Sequence, residues 1–197
     1  MTLEDFKLLM VKSQPHALTR YGDGEHNIFD DVNCHRKGFK FNSEEDQKLK
    51  ADLLEAYNSQ SPNYYVADKD PISACLFVNQ YYPTFLKEVM PLFNMFKIIY
   101  VGHETSDITN LPFHVDEFFP VCDNAWKYFP GLYIQILREF RKYKKPILCL
   151  FACGPYSNIL INKIWKHNKK QILWNIGSTL DPFVYGVNTR QYHERMF

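Results

Sequence analysis

Four short apolar runs along this chain end at a glycine: Ala17 to Gly22, Ile98 to Gly102, Ile147 to Gly154 and Gln171 to Gly177. Runs this short, bounded by turn residues, predict strands buried on both faces. Between the last two, Ser157 to Lys170 carries Ile159, Leu160, Ile161, Ile164 and Trp165 largely at helical spacing, which gives one βαβ unit. Leu3 to Lys12 reads as a first helix that stops before Pro15. Ser43 to Tyr57 reads as a second, with Ser43 as N-cap and Leu49, Leu53, Leu54 and Tyr57 as its apolar stripe. Helical runs also cover Ser73 to Phe93, broken by Pro83 and Pro91, and Ala125 to Tyr143, restarted at Pro130-Gly131. Strands alternating with helices predict a Rossmann-like, open, mostly parallel α/β sheet flanked by helices, with ligands at the carboxyl ends of the strands.

A chain of 197 residues with 46% hydrophobic content suits one α/β domain over residues 1–197 with a sizeable core. A formal net charge of +1 argues against a nucleic-acid partner, and the basic stretch Arg138 to Lys145 reads as cations solvating a helix C-terminus. The five cysteines are odd in number and lack CxxC spacing, so neither a disulfide framework nor a zinc ribbon is indicated. The acidic N-terminus lacks a basic signal-peptide region, and no apolar run approaches membrane-spanning length. A cytoplasmic protein with no integral membrane segment is therefore expected.

The densest candidate chemistry is Arg20-Tyr21-Gly22-Asp23-Gly24-Glu25. On an extended segment residues i and i+2 share a side, so Asp23 and Glu25 would offer hard oxygen donors to one Mg²⁺ or Mn²⁺. On the hexapeptide alone a polar β-turn is the simpler reading. His103, Glu104, Gly154, Ser157, Gly177 and Ser178 fall at the other strand ends. Cys153 to Ser157 bridges a strand and a helix start, where backbone N–H groups hold phosphate in other proteins; an ordinary turn fits as well, since Walker A and GxGxxG patterns are both absent. Glu104 and Asp181 are candidate bases or solvated loop carboxylates. Thr189 to His193 includes Arg190, whose planar fork suits a diphosphate if the tail folds over the site.

The order of these motifs resembles the GT-D class of nucleotide-sugar glycosyltransferases, first described in bacteria as a domain of unknown function. The resemblance rests on Arg20 to Glu25 at a strand end, Pro120 to Trp126 before a helix, Ile147 to Gly154, and Gln171 to Gly177 with Asp181 beyond. It implies a hexosyl- or pentosyltransferase that moves a sugar from a nucleoside-diphosphate donor, with UDP favoured, to a hydroxyl of a glycan acceptor. Asp23 and Glu25 would hold Mn²⁺ or Mg²⁺. Arg20, Gly22, Gly154, Ser157, Gly177 and Arg190 would line the diphosphate, Tyr21 or Tyr156 would stack on the base, and Glu104 or Asp181 would deprotonate the acceptor. A metal-dependent phosphohydrolase or nucleotidyltransferase, and a non-catalytic nucleotide-binding subunit, are the alternatives.

Overall fold

The computed structural model describes residues 3–36, 39–68 and 81–196. Its central sheet has six strands: β1 (His16–Arg20), β4 (Tyr64–Ala67), β5 (Ile98–His103), β6 (Glu117–Val121), β7 (Leu148–Ala152) and β8 (Ile172–Asn175). They pair in the order β4-β1-β8-β7-β5-β6, and every pairing is parallel. The four glycine-ended runs are thus four neighbouring strands, β1, β8, β7 and β5, and the predicted α/β sheet is the observed one. Strands β2 (Cys34–Arg36) and β3 (Phe39–Phe41) form a separate antiparallel pair.

Alternate residues of each strand enter opposite cores, as the period of two requires. Ala17, Ile99, Val101, Cys149, Phe151 and Leu173 pack with residues of α3 (Gln47–Tyr57), α6 (Leu132–Phe140) and α7 (Tyr156–His167). Leu18, Ile98, Tyr100, Leu150, Ile172 and Trp174 pack on the other face with Phe6 and Met10 of α1 (Leu3–Val11) and with Phe85 and Phe93. Those last two belong to a helical stretch that begins at α4 (Tyr82–Thr84), widens to a π-type turn over Phe85–Val89 and tightens over Met90–Met95, where Pro91 interrupts the regular ladder. The earlier part of the helix predicted from Ser73 lies outside the described residues. Among the described residues no helix is long and apolar enough to cross a membrane.

Helix α3 starts at Gln47 rather than near Ser43. The Asp46 carboxylate turns back to accept from Asn42 N at 2.9 Å and pairs with Lys127 at 2.8 Å, holding residues 42–46 as a turn. Helix α5 (Ala125–Tyr128) and α6 are separated at Pro130-Gly131, as the sequence predicts. Strand β6 carries Pro120, which its edge position tolerates because one side of the ladder is unpaired.

Candidate functional site

The carboxyl ends of β4, β1, β8 and β7 lie side by side and present Asp68, Arg20 to Glu25, Gly177 and Gly154 along one edge. Contrary to the sequence-based expectation, Asp23 and Glu25 do not extend from a strand; α2 (Asp23–Phe29) begins at Asp23, with Gly22 as its N-cap. Residues two apart on a helix diverge by about 200°, so the carboxylates do not form a same-side pair. Glu25 folds back to accept the Gly22 N–H at 2.9 Å, while Asp23 is exposed on the first turn. Burial raises the Glu25 pKa, opposed by the Gly22 hydrogen bond and by the charge of Arg20. Acidic residues in a first helical turn also meet the positive end of the helix dipole, which explains why this polar, glycine-flanked segment turns helical.

Arg20 lies under the turn that follows β8. Its Nη1 donates to Ile176 O at 3.0 Å and to Thr179 Oγ1 at 3.4 Å. Gly177 stands directly above, at φ +53°, where an added Cβ would come within 3.4 Å of Nη1. The backbone of Arg20 is clamped by a side chain. Asn158 Oδ1 accepts Arg20 N at 3.0 Å, and Asn158 Nδ2 donates to Arg20 O at 2.7 Å. Pairing between β1 and β8 ends at Leu18 and Trp174, so the Asn158 amide completes the ladder where the strands part. Asn175 supports it, donating to Asn158 Oδ1 at 2.7 Å and accepting Gly177 N at 3.0 Å.

The chain after β8 folds back over this turn. Thr189 Oγ1 donates to Asp181 Oδ2 at 2.5 Å, and Tyr192 and Ser178 hydroxyls meet at 2.8 Å. His193 Nδ1 accepts the N–H groups of Thr189 and Arg190, so Nε2 carries the hydrogen that Ser178 O accepts at 3.0 Å. Burial lowers the His193 pKa. Arg190 is thereby held at the rim, exposed, with Nε donating to Ser178 Oγ at 3.2 Å.

Several expected roles do not survive. Tyr21 is fully buried against Phe29 and Tyr57, and Tyr156 is buried with its hydroxyl donating to Phe129 O, so neither presents a face to a nucleotide base. Ser157 is buried and its Oγ accepts Cys153 N at 3.0 Å, which removes it as a phosphate ligand. The N–H groups of Gly22 and Gly177 are likewise occupied, by Glu25 and Asn175. Gly154 remains exposed, at φ +62°. Burial pushes the Cys153 thiol up to about 12, which makes it a poor nucleophile. Glu104 follows β5, three strand spacings from β1 and so about 14 Å away across the sheet. It stands with His103, whose Nε2 meets Asp123 Oδ1 at 3.2 Å.

Two features escaped sequence reading. His26 Nε2 lies 2.6 Å from Asp68 Oδ1, and Asp68 Oδ2 accepts the Tyr57 hydroxyl at 2.5 Å. This oriented histidine sits one residue past the motif; the available signal was Asp68 directly after the apolar run Tyr64–Ala67, a strand-end acid like the others. The second is the antiparallel β2–β3 pair, which packs against this edge. Phe39 wedges between α2 and the β7–α7 turn, and added Cβ atoms at Gly24 and Gly154 would meet its ring at 3.0 and 3.5 Å.

The described side chains do not by themselves make a cation site. Among the described residues no group of three or more His, Cys, Asp or Glu side chains is placed to hold a metal. Nucleotide-bound Mg²⁺ is commonly held by one or two carboxylates with the substrate phosphates; Asp23 is an exposed carboxylate on this edge.

No protein-family model and no curated protein matches the chain. Solved structures do. The fold is that of the domain of unknown function 1792, described as a distinct glycosyltransferase fold; one such structure superposes with a TM-score of 0.57 over 96% of this chain and 91% of its own, at 16% identity. A second, a glycosyltransferase of that domain type from Streptococcus sanguinis, superposes with a TM-score of 0.61 over 100% of this chain and 96% of its own, at 14% identity. At these identities the likeness is one of fold, and it is the fold that the Arg20 to Glu25 resemblance implies.

Proposed function

We propose that this chain is a glycosyltransferase that binds a nucleoside-diphosphate sugar across the carboxyl ends of β1, β8 and β7 and transfers the sugar to a glycan hydroxyl. A UDP-sugar is the favoured donor on resemblance. The observation that carries the reading is the Arg20 to Glu25 motif standing at the end of an interior strand in a fold shared, over nearly the whole chain, with glycosyltransferase structures.

Arg190 offers its fork to the diphosphate from the rim, and Arg20 supplies a fixed positive charge beneath the 176–179 turn. Asp23 would hold Mn²⁺ or Mg²⁺ together with phosphate oxygens, a cation that stabilises charge on the departing nucleoside diphosphate. Glu25 acts through structure, fixing the Gly22 amide and the start of α2. For direct displacement at the anomeric carbon the acceptor hydroxyl must lose a proton. His26 is the better placed acceptor than Glu104 or Asp181: with Nε2–H donated to Asp68, its Nδ1 lone pair takes the proton, and Asp68 stabilises the imidazolium that results. Asp181 is tied to Thr189 and serves the fold of the tail.

The test is release of nucleoside diphosphate from a panel of nucleotide-sugars, with and without glycan acceptors. Release that requires an acceptor supports transfer. Equal release into water alone replaces it with hydrolysis, and no release with any donor leaves a binding subunit.

A further inference from the structure

At the opposite end of the sheet, where β1, β7 and β8 begin, a cavity of about 750 Å³ opens between α6, with the segment that follows it, and the C-terminal end of α7. Four cations line it: Arg141, Lys144, Lys145 and Lys170. No aspartate or glutamate does. All four are exposed, and among the described residues none makes a side-chain hydrogen bond or ion pair. Their neighbours behave differently: Lys142 pairs with Glu139 at 2.7 Å, and Lys166 pairs with Glu55. Helix C-termini favour cations nearby, but that preference does not gather four unneutralised cations around one concave space. Tyr133, stacked on the His167 ring, forms part of the wall and lowers the polarity in which those charges act.

We propose that this cavity is a second binding site, for a small molecule carrying several phosphate groups. Its volume lies within the usual range of small-ligand sites, about 300–1,000 Å³. Concavity favours a discrete molecule over a flat lipid surface, as does the rim, where Ile134 is the one exposed large apolar lining residue. Separate amines and a guanidinium match separate phosphate groups, each gaining a charge-assisted hydrogen bond on contact. The inference does not rest on the glycosyltransferase reading, because strands of four to six residues separate this cavity from the candidate active site, roughly 15 Å along the sheet.

The test is calorimetric titration of the full chain with inorganic tripolyphosphate in EDTA, which silences metal-dependent binding at the other end. Three proteins are compared: wild type, Lys144→Glu/Lys145→Glu and Arg190→Glu. The expected result is one saturable site whose affinity falls about tenfold or more in the double variant and is unchanged in Arg190→Glu. Absence of saturable binding, equal binding by the double variant, or loss in Arg190→Glu instead would overturn the assignment. Should the double variant fail to fold, Arg141→Gln/Lys170→Gln takes its place. Co-sedimentation with neutral vesicles, with and without an acidic phospholipid, forms a parallel arm. Binding to acidic vesicles without binding of free tripolyphosphate would overturn the small-molecule site in favour of membrane docking.

Discussion

Asn158 is the residue on which the geometry of the β1 end most depends. Its amide makes two hydrogen bonds to the Arg20 backbone and accepts one from Asn175, with the whole side chain buried. In Asn158→Ala the Arg20 backbone loses both hydrogen bonds to the Asn158 amide, while the longer bond from Asn175 Nδ2 to the Arg20 carbonyl, at 3.5 Å, stays. Each buried group left unsatisfied costs about 1–3 kcal/mol, so a loss of about 3–5 kcal/mol is expected. Asn158→Asp separates hydrogen bonding from volume. Its carboxylate still accepts from Arg20 N and Asn175, but the second oxygen now faces the Arg20 carbonyl at the former donor distance of 2.7 Å. Only the protonated acid restores a donor there. The folded-state pKa of the introduced carboxyl group is therefore raised, and the deficit of this variant against wild type shrinks as pH falls from 8 towards 5. Urea unfolding midpoints of the three proteins at both pH values measure this. An alanine cost below about 1 kcal/mol, or an aspartate deficit that does not depend on pH, would refute the clamp.

Acid should destabilise the protein through His16. This buried ring accepts from Trp174 Nε1 at 2.7 Å, bonds Gln14 O through Nδ1, and has its pKa pushed down by burial to about 4 from 6.5. The unfolded chain therefore takes up the proton first. The stabilisation is complete above pH 6.5 and is lost as pH falls through the window down to 4, about 3 kcal/mol in all; His16→Phe should flatten that part of the stability profile. Gly177→Ala places a Cβ at φ +53° beside Arg20 Nη1, and should cost about 1–2 kcal/mol and weaken nucleotide binding. His26→Gln should lower kcat by about 10²–10⁴ with little change in KM. An unchanged kcat would return the proton acceptor to another residue.

The sheet was legible because its interior strands are continuous apolar runs closed by glycine, and α7 because its apolar residues keep helical spacing. The weaker elements were obscured for physical reasons. Tyr64–Ala67 is short, Glu117–Val121 contains a proline that only an edge strand accepts, and the β2–β3 pair sets exposed polar residues beside buried Phe39 and Phe41. The strand ends that carry the candidate residues were equally legible, but the local geometry of those residues was not. Two carboxylates two residues apart imply a shared face on a strand and divergence on a helix, and Gly22 gives no warning of which follows. Asn158 and Ser157 sit side by side in the first turn of α7 and look alike in sequence; only the parting of β1 from β8 makes one a substitute for strand pairing.

The central claim is tested most directly by the thermal stability of wild type and Asp23→Asn with UDP, GDP, ADP and CMP and their sugar conjugates, each in Mn²⁺, Mg²⁺ or EDTA. A ligand at a hundredfold excess over its dissociation constant adds about 2.7 kcal/mol to the folded state. The account predicts a metal-dependent rise with one nucleotide, UDP on resemblance, that Asp23→Asn abolishes. No rise with any nucleotide, or a rise that survives in EDTA and in Asp23→Asn, would contradict it.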